Sequence, residues 1–160
     1  MAIIRADFYK QDLNQFAPHR LRGELLDWGL DAQVMEVQID GSELGTVYAG
    51  DKLTIKDTSK GKLKVVLAGP DDRGYGYAIY NPKKGKWKAG DKLSILRDSG
   101  VMSQVTEDAV SAGEFLYFNP VDGSATTTVT DAPMGVALAS VPATAGGTLI
   151  PVEIVKEPLA

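Results

Sequence analysis

The stretch Ala-Gly-Asp-Lys-Leu-Thr-Ile at residues 49–55 returns at residues 89–95 as Ala-Gly-Asp-Lys-Leu-Ser-Ile, with a Thr-to-Ser exchange as the one difference. A looser third copy, Ala-Gly-Glu-Phe-Leu-Tyr-Phe, occupies residues 112–118. In each copy the Gly permits a bend, and the acid that follows can accept a backbone hydrogen bond. The pattern is therefore typical of a turn that leads into a strand, and it predicts that Leu53, Ile55, Leu93 and Ile95 face the core. Two close copies indicate duplicated sheet halves and are too few for a solenoid or propeller.

A similar alternation of turns and short strands is indicated along most of the chain, where 17 Gly and 8 Pro separate short segments that mix β-branched, aromatic and polar residues. This predicts an all-β protein, folded as a compact antiparallel β-sandwich or small β-barrel. After the alternating run at 34–39, Asp40-Gly41 predicts a tight turn and the start of a hairpin. The further strands that we predict are 63–68, 75–80, 93–97, 114–119, 126–130, 134–139 and 148–155.

Length and composition limit the possible classes of protein. A chain of 160 residues with 44% hydrophobic residues suits one globular domain, and the absence of Cys excludes disulfides, thiolate metal sites and a cysteine nucleophile. Residues 132–152 contain no charge and are long enough to cross a membrane, but three Pro and several Gly would break such a helix. We expect strands and turns there, and no membrane partner.

The N-terminal segment differs from the remainder, because residues 9–30 carry many large apolar side chains without alternation. Pro18 and Gly23 limit any helix to a short turn, for which 23–28 is the best candidate. We therefore expect an extended N-terminal arm at 1–31 and a β domain at 32–160. The arm must bury its apolar groups on its own domain or on a neighbouring molecule.

Charge is unevenly distributed. Residues 1–97 hold 16 Lys+Arg and 13 Asp+Glu, whereas residues 98–155 hold seven acids and no Lys or Arg. Two trios of alternating lysines, at 60, 62, 64 and at 84, 86, 88, are expected on strand faces, with Trp87 pointing the opposite way. With Tyr75, Tyr77 and Tyr80 they could bind single-stranded nucleic acid, but lysines at this spacing also protect exposed strands from pairing. The net charge of −4 favours the second explanation, and we expect no nucleic-acid partner.

No pattern typical of an active site is visible, so we expect no enzymatic activity, no catalytic residues, no cofactor and no metal site. The one His, His19, lies between Pro18 and Arg20, away from any strand-turn-helix element that could present a catalytic triad. An alternative is that Asp51, Asp91 and Glu114 converge on a hard cation. Each of them has an adequate role in its own turn.

The C-terminal third contains DAVSAGE at 108–114, DAPMGVALA at 131–139 and AGGTLIPVEIV at 145–155. These segments resemble the small decoration, or cement, proteins of tailed-bacteriophage heads, in which a Gly-Val-Ala-Leu segment, a short Ala/Gly turn and a closing Val-Pro-Val type strand recur. The resemblance covers the last third of the chain, and the Ala-Gly-acid turns extend it weakly to residue 49. The arm has no counterpart in it.

The resemblance implies a structural protein that binds the outer surface of a phage head where major capsid protein subunits meet, and that stabilises the shell. It implies major capsid protein as partner, self-association as a dimer or trimer, and a path from host cytoplasm to the virion surface. From the composition of the arm, with Phe8, Phe16 and Trp28 as anchors, the candidate capsid contacts are Arg5, Phe8, Tyr9, Phe16, Arg20, Arg22 and Trp28.

Two other functions remain open at the level of the sequence. The first is a carbohydrate- or receptor-binding β module on a virion or cell surface, motivated by Tyr75, Tyr77, Tyr80 and Trp87. The second is a small β-fold enzyme that cleaves polysaccharide with two carboxylates, for which Asp71, Asp72 and Asp91 are the candidates.

Overall fold

The computed structural model describes residues 22–27, 32–58, 63–69, 72–130 and 132–156. Within these ranges the chain forms strands and turns without helix, so the all-β prediction is confirmed. The strands are β1 (Leu25–Asp27), β2 (Gln33–Ile39), β3 (Val47–Tyr48), β4 (Lys52–Asp57), β5 (Lys64–Leu67), β6 (Gly76–Ala78), β7 (Lys86–Trp87), β8 (Lys92–Asp98), β9 (Val101–Thr106), β10 (Phe115–Phe118), β11 (Ala125–Thr126), β12 (Pro133–Ala137) and β13 (Thr148–Ile154).

The first barrel closes in the order β2-β5-β4-β6-β8. Strands β4 and β8, which begin with the two copies of the repeat, both pair antiparallel with the short β6 between them. Strand β2 pairs antiparallel with β8 and parallel with β5, so the turn at Asp40-Gly41 does not join two paired strands. The turn prediction there is confirmed, since Asp40 accepts the Ser42 N–H at 2.9 Å, but the hairpin prediction is wrong.

The second barrel is built from β9, β11, β10, β12 and β13. This barrel closes because β13, the last strand in this order, pairs with β9 over six residues. Strand β1 pairs with the start of β9, at Val101 and Met102, on the side opposite β13. Residues 132–152 therefore lie in strands and turns, as predicted. No helix in the described residues is long and apolar enough to cross a membrane.

The two barrels share part of their cores. Tyr77 and Leu96, from β6 and β8 of the first barrel, are buried in the apolar cluster that fills the second. The Tyr77 ring meets the edge of Phe118 at a centroid distance of 6.3 Å. Aromatic pairs of this geometry stabilise the fold by more than their buried area alone would give.

The basic and acidic halves of the sequence correspond to the two barrels, because β8 ends at Asp98 and β9 begins at Val101.

The repeated turns have one geometry. Gly50, Gly90 and Gly113 all have φ near +90°, a region that favours Gly. Asp51 accepts the backbone N–H of Tyr48 at 2.8 Å, and Asp91 accepts that of Lys88 at the same distance. The interpretation of the repeat as a turn that leads into a strand is confirmed.

Burial follows the prediction at three of the four repeat positions. Leu53, Leu93 and Ile95 are buried, whereas Ile55 is 44% exposed. The difference follows from the strand pairing. Strand β6 pairs with β4 only at Lys52 and Leu53, so Ile55 has no β6 residue beside it. Ile95 is paired on both sides, with Met35 and with Ala78.

The segment before the first barrel differs from the sequence interpretation. The short helical turn predicted at 23–28 is wrong for the described residues, because Leu25–Asp27 form a strand that pairs with β9. The Gly23 N–H donates to the Ser103 carbonyl at 2.6 Å, and the Gly23 carbonyl accepts from the Tyr80 N–H at 2.9 Å. Residues 22–27 thus pack with the β domain. The arm boundary at residue 31 otherwise stays a prediction.

Candidate functional site

Arg22 binds the N-terminal segment to the β domain at the place where the two barrels meet. Its side chain is 2% exposed, and its Nη2 lies 2.9 Å from Asp51 Oδ1. The Nε–H donates to Gln104 Oε1 at 3.2 Å, and Gln104 Nε2 donates in turn to the Gly50 carbonyl at 3.1 Å. The segment before β1, the first repeat turn and β9 are therefore held by one buried polar cluster.

Close packing around the guanidinium depends on two glycines. A Cβ at Gly50 would lie 2.6 Å from Arg22 Nε, and one at Gly123 would lie 3.0 Å from Arg22 Nη1. Burial lowers the pKa of Arg22 below its ordinary value, and the carboxylates of Asp51 and Asp122 oppose this shift. An arginine side chain is not deprotonated in proteins, so the guanidinium stays charged at neutral pH. Arg22 is thus an interior residue of the β domain in this structure, which places it away from an exposed arm surface.

The other predicted contacts lie outside the described residues: Arg5, Phe8, Tyr9, Phe16, Arg20 and Trp28. Their role stays a prediction. The cluster around Arg22 was missed by sequence reasoning because β9 was not recognised as a strand. Ser103, Gln104 and Thr106 look like loop residues, yet all three are buried, and Gln104 and Ser103 are hydrogen-bonded to the N-terminal segment.

The acids of the repeat do not converge, and those of the first two copies accept backbone N–H groups of their own turns. Asp51 pairs with buried Arg22, whereas Asp91 pairs with the exposed Lys84 at 2.9 Å. In the third copy the Glu114 N–H donates to the Ser111 carbonyl at 3.1 Å. No group of three or more His, Asp or Glu residues arranged to hold a metal ion occurs within the part of the chain that the structure describes.

The carboxylates considered for polysaccharide cleavage have local roles as well. Asp72 accepts the Gly69 N–H at 2.8 Å, and Asp71 lies outside the described residues. The hydrogen bond from the Lys88 N–H and that from Lys84 hold the pKa of Asp91 below its ordinary value. A carboxylate of this kind is ionised at neutral pH and has no special aptitude as a proton donor.

The aromatic residues proposed as a binding platform are not all on the surface. Tyr77 is 4% exposed and Trp87 is 2% exposed, so both belong to the cores. Trp87 points inward between the exposed Lys86 and Lys88, as predicted. The Tyr75 ring is covered on one face by Arg97, whose Cζ lies 3.9 Å from the ring centroid. A stacking platform built from these rings is therefore absent from the described surface.

The outer face of the second barrel carries exposed apolar side chains. Phe115 in β10 lies directly opposite Val136 in β12, so the two share a face, and Leu138 follows on the same face two residues later. Phe115 is 54% exposed and Leu138 is 46% exposed. We call Phe115, Val136 and Leu138 the apolar patch.

A signal for the apolar patch is present in the repeat. The fourth position of the motif is Lys92 in the second copy and Phe115 in the third, and both side chains are exposed. In the first copy the same position is Lys52, which is buried, so the third copy alone places an exposed apolar side chain there.

Comparison with protein-family models and with curated proteins found no match. The fold is similar to that of a solved structure, the head fiber gp8.5 N base of bacteriophage phi29, with a TM-score of 0.52 at 14% sequence identity. The likeness covers 81% of this chain and 98% of that chain. It shows a shared fold that extends over nearly the whole of the phage protein's base and most of the chain described above.

Proposed function

We propose that this chain is a structural protein of a tailed-phage head, bound to the outer surface of the shell as a decoration protein. The observation that carries the proposal is the likeness in fold to a phage head fiber base over 98% of that base. The segments at 108–114, 131–139 and 145–155, which resemble head decoration proteins, support it independently, because they were identified from sequence.

The proposed partner is the major capsid protein, and the proposed activity is stabilisation of the shell without a chemical step. A protein that covers junctions between subunits adds contacts which the shell must break before it opens. Because many copies bind one shell, weak individual contacts act together.

Two surfaces are proposed to make these contacts. The first is the arm, with its apolar and arginine side chains, among which Phe8, Phe16 and Trp28 are the anchors. The second is the apolar patch, because exposed apolar side chains that adjoin one another on a sheet face are typical of protein contacts. Arg22 is excluded from both surfaces because it is committed to Asp51 and Gln104.

Self-association as a dimer or trimer is part of the proposal. A closed oligomer would present several arms to the lattice at once. Light scattering coupled to size-exclusion chromatography of the full chain measures it, and a monomer at all concentrations up to those used in shell binding would contradict it.

Co-sedimentation with heads that lack this chain tests the shell contacts. We expect the full chain to pellet with the heads, and the double substitution Phe115→Ser and Leu138→Ser to weaken binding about tenfold. The control is Lys84→Ser with Lys86→Ser, which alters two exposed residues on the basic barrel and leaves the apolar patch unchanged. Equal loss in both variants would contradict the role of the patch.

A further inference from the structure

A pocket of about 330 Å³ opens on the first barrel, at the end that faces the chain's C-terminal segment. Its wall includes Ile55 of β4, Arg73 and Tyr75 of the segment before β6, and Arg97 of β8. Lys156, which follows β13 of the second barrel, completes it. We call Ile55, Arg73, Tyr75, Arg97 and Lys156 the cationic pocket.

The three cations of the cationic pocket, Arg73, Arg97 and Lys156, have no ion-pair partner among the residues that the structure describes. Two described carboxylates adjoin these cations in sequence and accept backbone N–H groups: Asp72 accepts that of Gly69 at 2.8 Å, and Asp98 accepts that of Lys156 at 3.2 Å. Like charges that share a pocket repel one another, so an anion that enters it is attracted by all three.

Arg97 is held in one orientation, which distinguishes it from an ordinary surface arginine. Its Nε–H donates to the Tyr75 carbonyl at 3.1 Å, and its guanidinium lies on the Tyr75 ring at 3.9 Å. The Tyr75 hydroxyl reaches Met35 Sδ at 3.4 Å, which fixes the ring as well. The two terminal nitrogens therefore remain available as a preformed pair of donors, the geometry that binds a carboxylate or phosphate in bidentate fashion.

The remaining lining of the pocket is Thr54, Ile55, Gly74 and Tyr75, in which Ile55 and the Tyr75 ring supply apolar surface. Ile55 is 44% exposed because β6 ends before it, and it lies beside Tyr75 in the pocket lining. A bare inorganic ion would leave this wall in contact with water. A ligand with an oxyanion on one side and carbon-bound hydrogens on the other would cover it, and this is the chemistry of a sugar acid.

We propose that the cationic pocket binds the carboxylate of an acidic sugar, with Arg97 as the residue that grips it and Ile55 as the contact for the sugar ring. A nucleotide fits less well, since one face of the Tyr75 ring is already covered by the guanidinium and base stacking needs an open aromatic face. The volume lies at the lower end of the range for small-molecule pockets, as a single sugar residue requires. The proposal does not depend on attachment to a phage head.

Calorimetric titration of the purified full chain at low ionic strength tests the proposal, with sodium glucuronate as the probe. We expect millimolar binding of glucuronate, no measurable binding of glucose, and weaker binding of inorganic phosphate. Glucose tests the need for the charge, and phosphate tests the need for the sugar ring.

Matched variants assign the binding to the pocket. Arg97→Gln and Arg73→Gln should each weaken glucuronate binding about tenfold, the effect of one lost charge-assisted contact at a partly exposed site. Lys86→Gln, which removes the same charge from an exposed strand outside the pocket, should leave the affinity unchanged. Arg73 is exposed, so Arg73→Gln keeps the test valid if Arg97→Gln impairs folding.

The proposal is overturned by any of three results. One is that no glucuronate binding is detected at a concentration 20-fold above a Kd of about 1 mM, the affinity expected of a weak saccharide site. Another is phosphate binding as tight as glucuronate binding. The third is an equal loss of affinity in Lys86→Gln, which would mean attraction by overall charge alone.

Discussion

Arg22 Nη2 lies 2.9 Å from Asp51 Oδ1, in an ion pair that is shielded from water and joins the start of the described chain to the first repeat turn. The second copy of the turn contains the same acid at the same position, but there Asp91 pairs with an exposed Lys84. The same motif thus contains a buried ion pair in the first copy and an exposed ion pair in the second, so the contributions of the two pairs to stability can be compared directly.

The first prediction concerns these two acids. Asp51→Asn leaves a buried guanidinium without its counter-charge, and we expect it to lower the free energy of unfolding by about 3 kcal/mol. Asp91→Asn should change it much less, since exposed pairs contribute little. An asparagine oxygen can still accept the turn's N–H in either copy. Urea unfolding of both variants measures the difference, and equal losses would show that the turn rather than the ion pair is responsible.

The second prediction concerns the glycines of the same turns. Gly50→Ala and Gly90→Ala both place a side chain at φ near +90°, which costs about 1 kcal/mol. At Gly90 the new Cβ meets no atom within 4 Å, whereas at Gly50 it meets Arg22 at 2.6 Å. We expect Gly50→Ala to be less stable than Gly90→Ala by about 2 kcal/mol, from thermal unfolding. Equal melting temperatures would mean that Arg22 can move aside without cost.

The third prediction concerns pH. Hydrogen bonds from the Thr127 N–H at 2.9 Å and the Thr126 hydroxyl at 2.7 Å hold the pKa of Asp108 below its ordinary value of 3.8. A carboxyl with a lowered folded-state pKa stabilises the fold above its unfolded value, and this stabilisation is lost as pH falls through the folded value. Asp108→Asn should therefore be less stable than the parent by about 1 kcal/mol at pH 7.

The difference between Asp108→Asn and the parent should shrink as pH falls below 3.8. Unfolding in urea at several pH values between neutral and acid measures it. A difference that stays constant over the whole range would show that the carboxylate charge does not contribute, and that the loss comes from altered packing near β11.

The fourth prediction concerns the N-terminal segment. Removal of residues 1–21 retains Arg22 and β1, and we expect the free energy of unfolding to be unchanged. Removal of residues 1–30 also deletes the partner of Asp51 and the strand that pairs with β9, and should destabilise the protein by about 3 kcal/mol or more. If both truncations destabilise equally, residues 1–21 contribute to the fold and are not an arm.

Much of the fold could be predicted from periodicity. The repeat identified the starts of β4, β8 and β10 because Gly and the following acid have a local effect that does not depend on tertiary contacts. The central strand β9 was missed since Ser103, Gln104 and Thr106 are polar and yet buried. Their burial is made possible by partners far away in sequence, such as Arg22 at a separation of 82 residues, and no local pattern reveals these.

The candidate sites were less predictable than the fold. Arg22 resembled other arm arginines in sequence, and its burial depends on Gly50 and Gly123, which leave room for its side chain. The cationic pocket combines residues from β4, β8 and the end of the chain, so it exists only once both barrels have formed. Sequence does predict the split between a basic and an acidic half, since that split follows the order of the two barrels.

Shell binding by the full chain is the most direct measurement of the proposed function. Heads assembled from the major capsid protein of the genome that encodes this chain are mixed with rising amounts of the purified protein and sedimented. We expect saturable binding at a fixed ratio to the major capsid protein, with loss of binding on removal of residues 1–21 from a protein that remains folded. Material that never pellets above the level of a heads-free control would contradict the assignment as a decoration protein.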